Sequence, residues 1–219
     1  AGGLLFLCNP NNPIGNVIEK DLMLRIVKKA EERNLYVVID ECFLPFLPEY
    51  ASVSFRSAYQ NHKNACVINA FTKLYAMPGL RLGFVLSADR ELLTKLKEQL
   101  PAWNVSAVAQ AAGTAALLDP AYLEKTYQWI TAERSYVGEN LLLCKPRIKK
   151  VYCPAANFVF FEADDMLKDH LLQRQIAVRS CGNFRGLKCG DYRAAIRSHA
   201  ENKYLIEAIR EEAHKWHEI

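Results

Sequence analysis

"LLFLCNPNNPIGNVIEKDLMLRIVKKAEERNLYVVID", residues 4–40, is the stretch from which the architecture of this 219-residue chain is read. "LLFLC" (4–8) is a short uninterrupted apolar run, the pattern of a parallel strand buried on both faces. "NPNNPIG" (9–15) follows at once and is turn chemistry. Residues 19–33 then place Leu22, Ile26 and Ala30 at four-residue spacing, which predicts an amphipathic helix, and "LYVVID" (35–40) returns as a second buried strand. Strand, helix and strand at these lengths form a βαβ unit and predict an α/β layer.

Working outward, "ACVIN" (65–69) and "RLGFVLS" (81–87) read as two further strands. Between them "FTKLYAMPGLRLG" (71–83) sets Lys73 in one apolar run and Arg81 in the next, an odd place for two cations. "RELLTKLKEQL" (90–100) and "SAVAQAAGTAALL" (106–118) read as helices, and residues 121–143 as a long helix leaving the layer. Beyond it "KKVYC", "NFVFFE", "IAVRS" and "YRAAIRS" alternate with the helical patterns "DMLKDHLLQRQ" and "NKYLIEAIREEAHKW", which predicts a small α+β domain. The expected division is therefore 1–120, a connecting helix over 121–146, and 147–219, without internal repeats or a low-complexity linker.

Composition sets the bounds. With 51% hydrophobic and 24% charged residues the chain can bury a sizeable core. The net charge of +4 is mild, and the dense basic cluster "KPRIKK" (145–150) has no interleaved aromatics, so it reads as a solvated face and not as a nucleic-acid site. Seven cysteines, an odd number without a Cys-x-x-Cys pair, point to a reducing compartment, the cytoplasm. The histidines are scattered; His214 and His217 share a helical face near the end, which reads as an exposed helix terminus and not as a metal site. No apolar stretch approaches the ~20 residues of a membrane span. The opening "AGGLLFLCNP" lacks the basic flank of a signal peptide and reads as a strand entered partway through a longer protein.

Ligands of open α/β sheets bind at the carboxyl ends of the strands. Asn12 follows the first strand, Asp40 closes the second, Lys73 follows the third and Arg81 opens the fourth. Singly these are a turn former, a cap and two snorkelling cations; together they mark a candidate site.

"NPNNPIG", "VVIDECF" (37–43) and "FTKLYAMPGLRLG", in this order and spacing, resemble the pyridoxal-phosphate enzymes of the aspartate-aminotransferase fold. The resemblance is strongest to the threonine-phosphate decarboxylases and their relatives, the histidinol-phosphate aminotransferases. It runs from residue 3 to the C-terminus and includes "IAVRSCGNFRGL" (176–187) and "YRAAIRS" (192–198). It implies fold type I, with this chain supplying the C-terminal part of the large cofactor-binding domain and a small α+β C-terminal domain. It also implies pyridoxal phosphate as cofactor. Lys73 matches the lysine that holds the cofactor covalently, and apolar surroundings would lower its amine pKa and free the nucleophile. Asp40 matches the carboxylate paired with the pyridine nitrogen, Asn12 the asparagine on the ring's 3-oxygen, and Arg81 the arginine on the phosphate. Phe43 and Thr72 complete the implied cofactor set. Among substrate handles, Arg193 matches the clamp on the α-carboxylate and Arg179 an arginine that reaches a substrate phosphate. Arg197 matches either role or a surface ion pair, and Asn157 a neighbour of the clamp or a structural support.

Phe43 distinguishes the branches, because many aminotransferases carry a tyrosine there whereas "DECF" is close to the "DEAF" of the decarboxylases. Two departures stand out. "NAFTK" (69–73) has Asn69 and Ala70 where the family tends to have arginine or serine followed by a serine that helps to hold the phosphate. The glycine-containing phosphate loop, the ring-stacking aromatic and the residues that reach across the dimer, which the family carries upstream, do not occur in this sequence. The activity implied is decarboxylation of L-threonine phosphate to aminopropanol phosphate in cobalamin biosynthesis, with a phosphorylated amino acid as substrate and a homodimer as the full-length assembly. The alternatives are a histidinol-phosphate or related aminotransferase and a truncated chain that catalyses nothing.

Overall fold

The computed structural model describes residues 2–152 and 155–214, and within them the chain forms two units, each around its own sheet. Cys153 of "KKVYC", Trp216 of the last predicted helix, His217 and Ala1 lie outside the described residues. One unit comprises Ala1–Asn11 and Val17–Lys125; the other comprises Asn12–Asn16 and Thr126–Ile219.

The first unit contains β1 (Gly3–Cys8), α1 (Lys20–Glu31), β2 (Leu35–Asp40), α2 (Tyr50–Val53), β3 (Ala65–Ala70), β4 (Gly83–Ser87), α3 (Arg90–Gln99), α4 (Ala107–Leu117) and the start of α5 (Pro120–Leu142). The sheet order is β1-β2-β3-β4; the first three strands are parallel and β4 returns antiparallel to β3. The expected βαβ unit is present. Its helix buries Met23, Val27 and Ala30 against Val37, Ile39, Phe55, Ala65 and Val67. The buried stripe is thus one residue on from the expected one: Ala30 is shared, Leu22 is exposed and Ile26 is half-buried. The continuous apolar run in β1 also misleads, because Leu5 and Leu7 pack on the core while Leu4 and Phe6 remain 66% and 67% exposed. β1 is an edge strand, and the core helix α1 packs with the Leu5/Leu7 face only. Side-chain caps start the later helices, with Asp89 accepting from the Leu92 amide and Ser106 from the Ala109 amide.

The second unit contains β5 (Ile148–Tyr152), β6 (Phe158–Ala163), α6 (Leu167–Gln173), β7 (Arg179–Ser180), β8 (Asp191–Ala195) and α7 (His199–His214), in an antiparallel sheet of order β5-β6-β8-β7. "IAVRS" yields only the two-residue strand β7. Gly190 enters β8 at φ +89°, and a Cβ there would meet the Ala163 carbonyl oxygen at 2.7 Å, so the turn demands glycine. The basic cluster is not wholly solvated. Arg147 is only 5% exposed, and its Nε and Nη2 donate to Asp164 at 2.7 and 3.3 Å while Nη2 also meets His170 Nδ1. A buried guanidinium needs such partners, and a charge run cannot reveal one that lies on another element. Among the described residues no helix is long and apolar enough to cross a membrane.

Candidate active site

The register of the first sheet assembles one edge. Cys8 lies opposite Asp40, Asp40 opposite Ile68, and Ala70 opposite Gly83. Because β4 runs antiparallel, its beginning lies beside the end of β3, so Arg81 shares the edge with Asp40 and the turn carrying Lys73. Gly83 permits the close approach of the two strands: a Cβ there would stand 2.9 Å from the Asn69 carbonyl oxygen.

Asp40 is half-buried and its Oδ1 accepts the Cys42 amide at 2.9 Å. Burial, with the hydrogen bond to Asp40 and its charge, pushes the Cys42 thiol up to about 12, so that side chain stays neutral beside the carboxylate. Burial and Asp40 raise the Cys8 thiol too. Lys73 Nζ sits 5.4 Å from the centroid of the Phe43 ring, within cation–π range. The structure therefore brings Asp40, Phe43, Thr72, Lys73 and Arg81 onto one edge.

Lys73 is exposed, which corrects the expectation of an apolar burial. Phe71 and Leu74, its apolar neighbours, turn into the core and leave the amine pointing outward. Several contacts brace this turn. The Phe71 amide donates to the Leu82 carbonyl at 3.1 Å and Tyr122 Oη to the Leu74 carbonyl at 2.8 Å. Tyr75 stacks between Phe71 and Tyr122 at 5.1 and 5.9 Å. Ala76 and Arg81 occupy the left-handed region at φ 51° and 53°, a conformation that costs on the order of 1 kcal/mol or more outside glycine. Arg81 is exposed, and its Nη1 donates to the Pro78 carbonyl at 2.9 Å, which ties the guanidinium to its own loop. Arg81 precedes β4 by two residues, so it caps a short 3₁₀ turn and does not open the strand.

The remaining predicted residues belong to the second unit. Asn12 is among them despite its place just after β1, and its Oδ1 accepts from Arg193 Nη1. Arg193 also lies over the Phe158 ring, at 5.1 Å. Arg179 on β7 is the register partner of Arg193 on β8, lies 5.8 Å from the Phe184 ring centroid and donates to Asn183 Oδ1 at 3.2 Å. Arg197 pairs with Glu201 at 2.6 Å on the rim of an open cleft of about 410 Å³. That is the surface-pair arrangement among its alternatives. The Asn157 carbonyl accepts the Ile196 amide at 2.9 Å.

The sequence reading missed Glu41 and understood Asn69 only as a departure; both are buried beside the Asp40 and Lys73 ends of the strands. It also missed Asn202, which donates to Glu133 Oε2 and the Arg197 carbonyl and accepts the Arg197 amide, fixing the turn after β8. Glu41's place next to Asp40 was the one signal available. Chemically, the edge of the first unit offers an amine for an aldehyde, a carboxylate for a cationic ring nitrogen and a guanidinium for an anion.

Residues 2–209 match the family model for class I and II aminotransferases. A threonine-phosphate decarboxylase of Salmonella typhimurium is 36% identical over 209 residues, which are 94% of this chain and 56% of that protein. The solved histidinol-phosphate aminotransferase of Clostridium acetobutylicum superposes with a TM-score of 0.91 at 33% identity, over 97% of this chain and 64% of that one. The histidinol-phosphate aminotransferase of Sinorhizobium meliloti, solved with pyridoxal-5'-phosphate, shares the fold at 23% identity and a TM-score of 0.83, covering 97% of this chain and 58% of that one. The chain thus spans a little over half the length of these relatives, and it belongs to the class I and II aminotransferase family.

Proposed function

We propose that this chain is the C-terminal portion of a pyridoxal-phosphate enzyme that decarboxylates L-threonine phosphate to aminopropanol phosphate, a step of cobalamin biosynthesis. The donor set supports the cofactor: Lys73 would bond the aldehyde, Asp40 would oppose the positive ring nitrogen, and Arg81 would release its own loop carbonyl to take the phosphate. Phe43 packs beside the amine without offering a hydroxyl to the ring oxygen. Bound pyridoxal phosphate supplies an electron sink for the bond broken at the substrate's α-carbon.

The observation that carries the choice of substrate is the register pairing of Arg179 with Arg193. Like charges directly opposite on neighbouring strands destabilise a sheet, and a ligand with two anionic groups relieves them. Threonine phosphate has a carboxylate for Arg193 and a phosphate for Arg179; histidinol phosphate has no carboxylate. On this reading Arg179 would hold the substrate phosphate and Arg193 its carboxylate, and Lys73 Nζ would carry the proton that takes the place of the departing carbon dioxide. Asn12, bound to Arg193, and Asn157, whose backbone is bonded to the end of β8, would steady the clamp. The assembly on this reading is a homodimer in the cytoplasm.

The test is to incubate the natural polypeptide carrying this chain with carboxyl-labelled threonine phosphate and, separately, with histidinol phosphate plus 2-oxoglutarate. Labelled carbon dioxide without glutamate is expected. Glutamate without carbon dioxide moves the protein to the aminotransferase branch, and neither product marks a chain that does not catalyse.

A further inference from the structure

The ladder between β2 and β3 ends where the candidate site begins. Its last register pair is Asp40 with Ile68, closed by the Glu41 amide, which donates to the Ile68 carbonyl at 2.9 Å. A different set of bonds takes over. Asn69 Nδ2 donates to the Glu41 carbonyl at 3.3 Å. Asn69 Oδ1 in turn accepts the Ala70 amide at 2.8 Å. The Glu41 carboxylate accepts Ser54 Oγ at 2.6 Å and the Phe55 amide at 2.7 Å, anchoring the bridge to the unit's core.

Both side chains are inside: Glu41 is 0% and Asn69 4% exposed. Asn69 continues the core-facing series of β3 that begins with Ala65 and Val67, a position where the burial pattern favours an apolar residue. A polar group there costs stability unless it is bonded, and each end of its amide is bonded to backbone flanking the site. From this arrangement we propose that Glu41 and Asn69 are positioning residues, forming a buried bridge that sets Asp40 at a fixed separation from the Lys73 turn. In the departure "NAFTK" Asn69 thus braces the edge from within, one residue before Ala70, the position at which the family tends to have the serine on the phosphate. The functional part of the proposal rests on the pyridoxal-phosphate reading above.

Two readouts on the 219-residue chain separate the bridge from that reading. The first needs no cofactor: the Cys42 amide, which donates to Asp40 Oδ1, reports by hydrogen exchange whether Asp40 is held. Asn69→Ala and Glu41→Ala should speed its exchange by about tenfold or more, through local opening. Glu41→Gln, which keeps an acceptor for the Phe55 amide, should stay within about twofold of wild type. Asn69→Ser, which can still cap Ala70 but is too short to reach the Glu41 carbonyl, should behave as Asn69→Ala. If Glu41→Ala does not fold, the two Asn69 variants decide. The second readout is the visible absorbance of added pyridoxal phosphate, whose pH midpoint and half-saturation should both shift in Asn69→Ala. Unchanged Cys42 exchange in the Asn69 variants, even with a lowered melting temperature, makes both residues ordinary core groups and overturns the proposal. If borohydride fixes no pyridoxal label on wild-type Lys73, the cofactor reading fails while the Cys42 exchange still decides the bridge.

Discussion

In the second unit the central strand β6 buries Phe158, Val159, Phe160 and Phe161 in succession, whereas the edge strand β1 of the first unit alternates half-buried and exposed although its sequence is just as apolar. The two sheets also carry their polar residues differently. Arg179 and Arg193 stand on paired strands, held by the ladder itself. Asp40, Lys73 and Arg81 hang on turns beyond the strand ends, where individual hydrogen bonds and aromatic stacking replace the ladder. Register along paired strands positions the cations of the second sheet, whereas the groups beyond the strand ends of the first are positioned by individual bonds, among them those of the buried Glu41 and Asn69.

The sharpest way to break this contrast is through the exposed lysine. Lys73→Ala should abolish borohydride-fixed pyridoxal label entirely while moving stability by less than about 0.5 kcal/mol, because the side chain fills no core space. Full labelling in that variant, read by peptide mass spectrometry, removes Lys73 from the site. If Asp40 opposes the ring nitrogen as proposed, Asp40→Asn should keep the fold and cut the proposed turnover by about a thousandfold, equal to about 4 kcal/mol of barrier. Near-normal turnover refutes that role.

Next come the buried groups of the second unit. Arg147→Ala removes a buried guanidinium from Asp164, whose Oδ1 still accepts the Met166 amide at 3.0 Å, and should cost about 3 kcal/mol in urea melts. Phe161→Ala, at the centre of β6, should cost a similar ~3–5 kcal/mol. Its counterpart on the exposed side of the edge strand β1, Phe6→Ser, should change stability by only about 0.5 kcal/mol or less. Equal costs for Phe161→Ala and Phe6→Ser would show that the exposed side of β1 is covered in solution.

The smallest effects are pH slopes of opposite sign. Burial raises the folded pKa of Glu41 above its ordinary 4.5, so the stability it contributes is present below that value and lost as pH rises through the folded pKa. Glu41→Gln should flatten that slope. In the second unit the Tyr152 hydroxyl, 2.7 Å from Glu162, lowers the Glu162 pKa. Its stability is present above 4.5 and lost as pH falls through the folded value, and Tyr152→Phe should flatten the acid limb instead. Urea midpoints measured across the acid range check both signs.

Much of this architecture was legible because strands and helices write their period into adjacent residues. The βαβ unit, the strand ends bearing Asp40 and Lys73, and the antiparallel second sheet's β6 and β8 all fall close to where the patterns predict. Boundaries slipped where the backbone left its regular period, as at Arg81, whose φ of 53° ends a turn instead of starting a strand. The short β7 had the right residues but pairs over only two of them.

Sequence alone determined which groups the edge would offer, since residue order along β2, β3 and the turn after it already sets a carboxylate, an amine and a guanidinium at successive strand ends. Only the tertiary structure decided which way they face. Whether Lys73 is buried depends on Phe71 and Leu74 finding core space, and whether Arg147 is buried depends on Asp164, 17 positions away. Asn12 joins the second unit through Arg193, 181 positions along the chain. The bond from Asn69 to Glu41 spans 28 positions and has no local pattern at all. Periodicity is a property of neighbours in the chain, whereas burial and pairing are properties of neighbours in space, and only folding makes the two coincide.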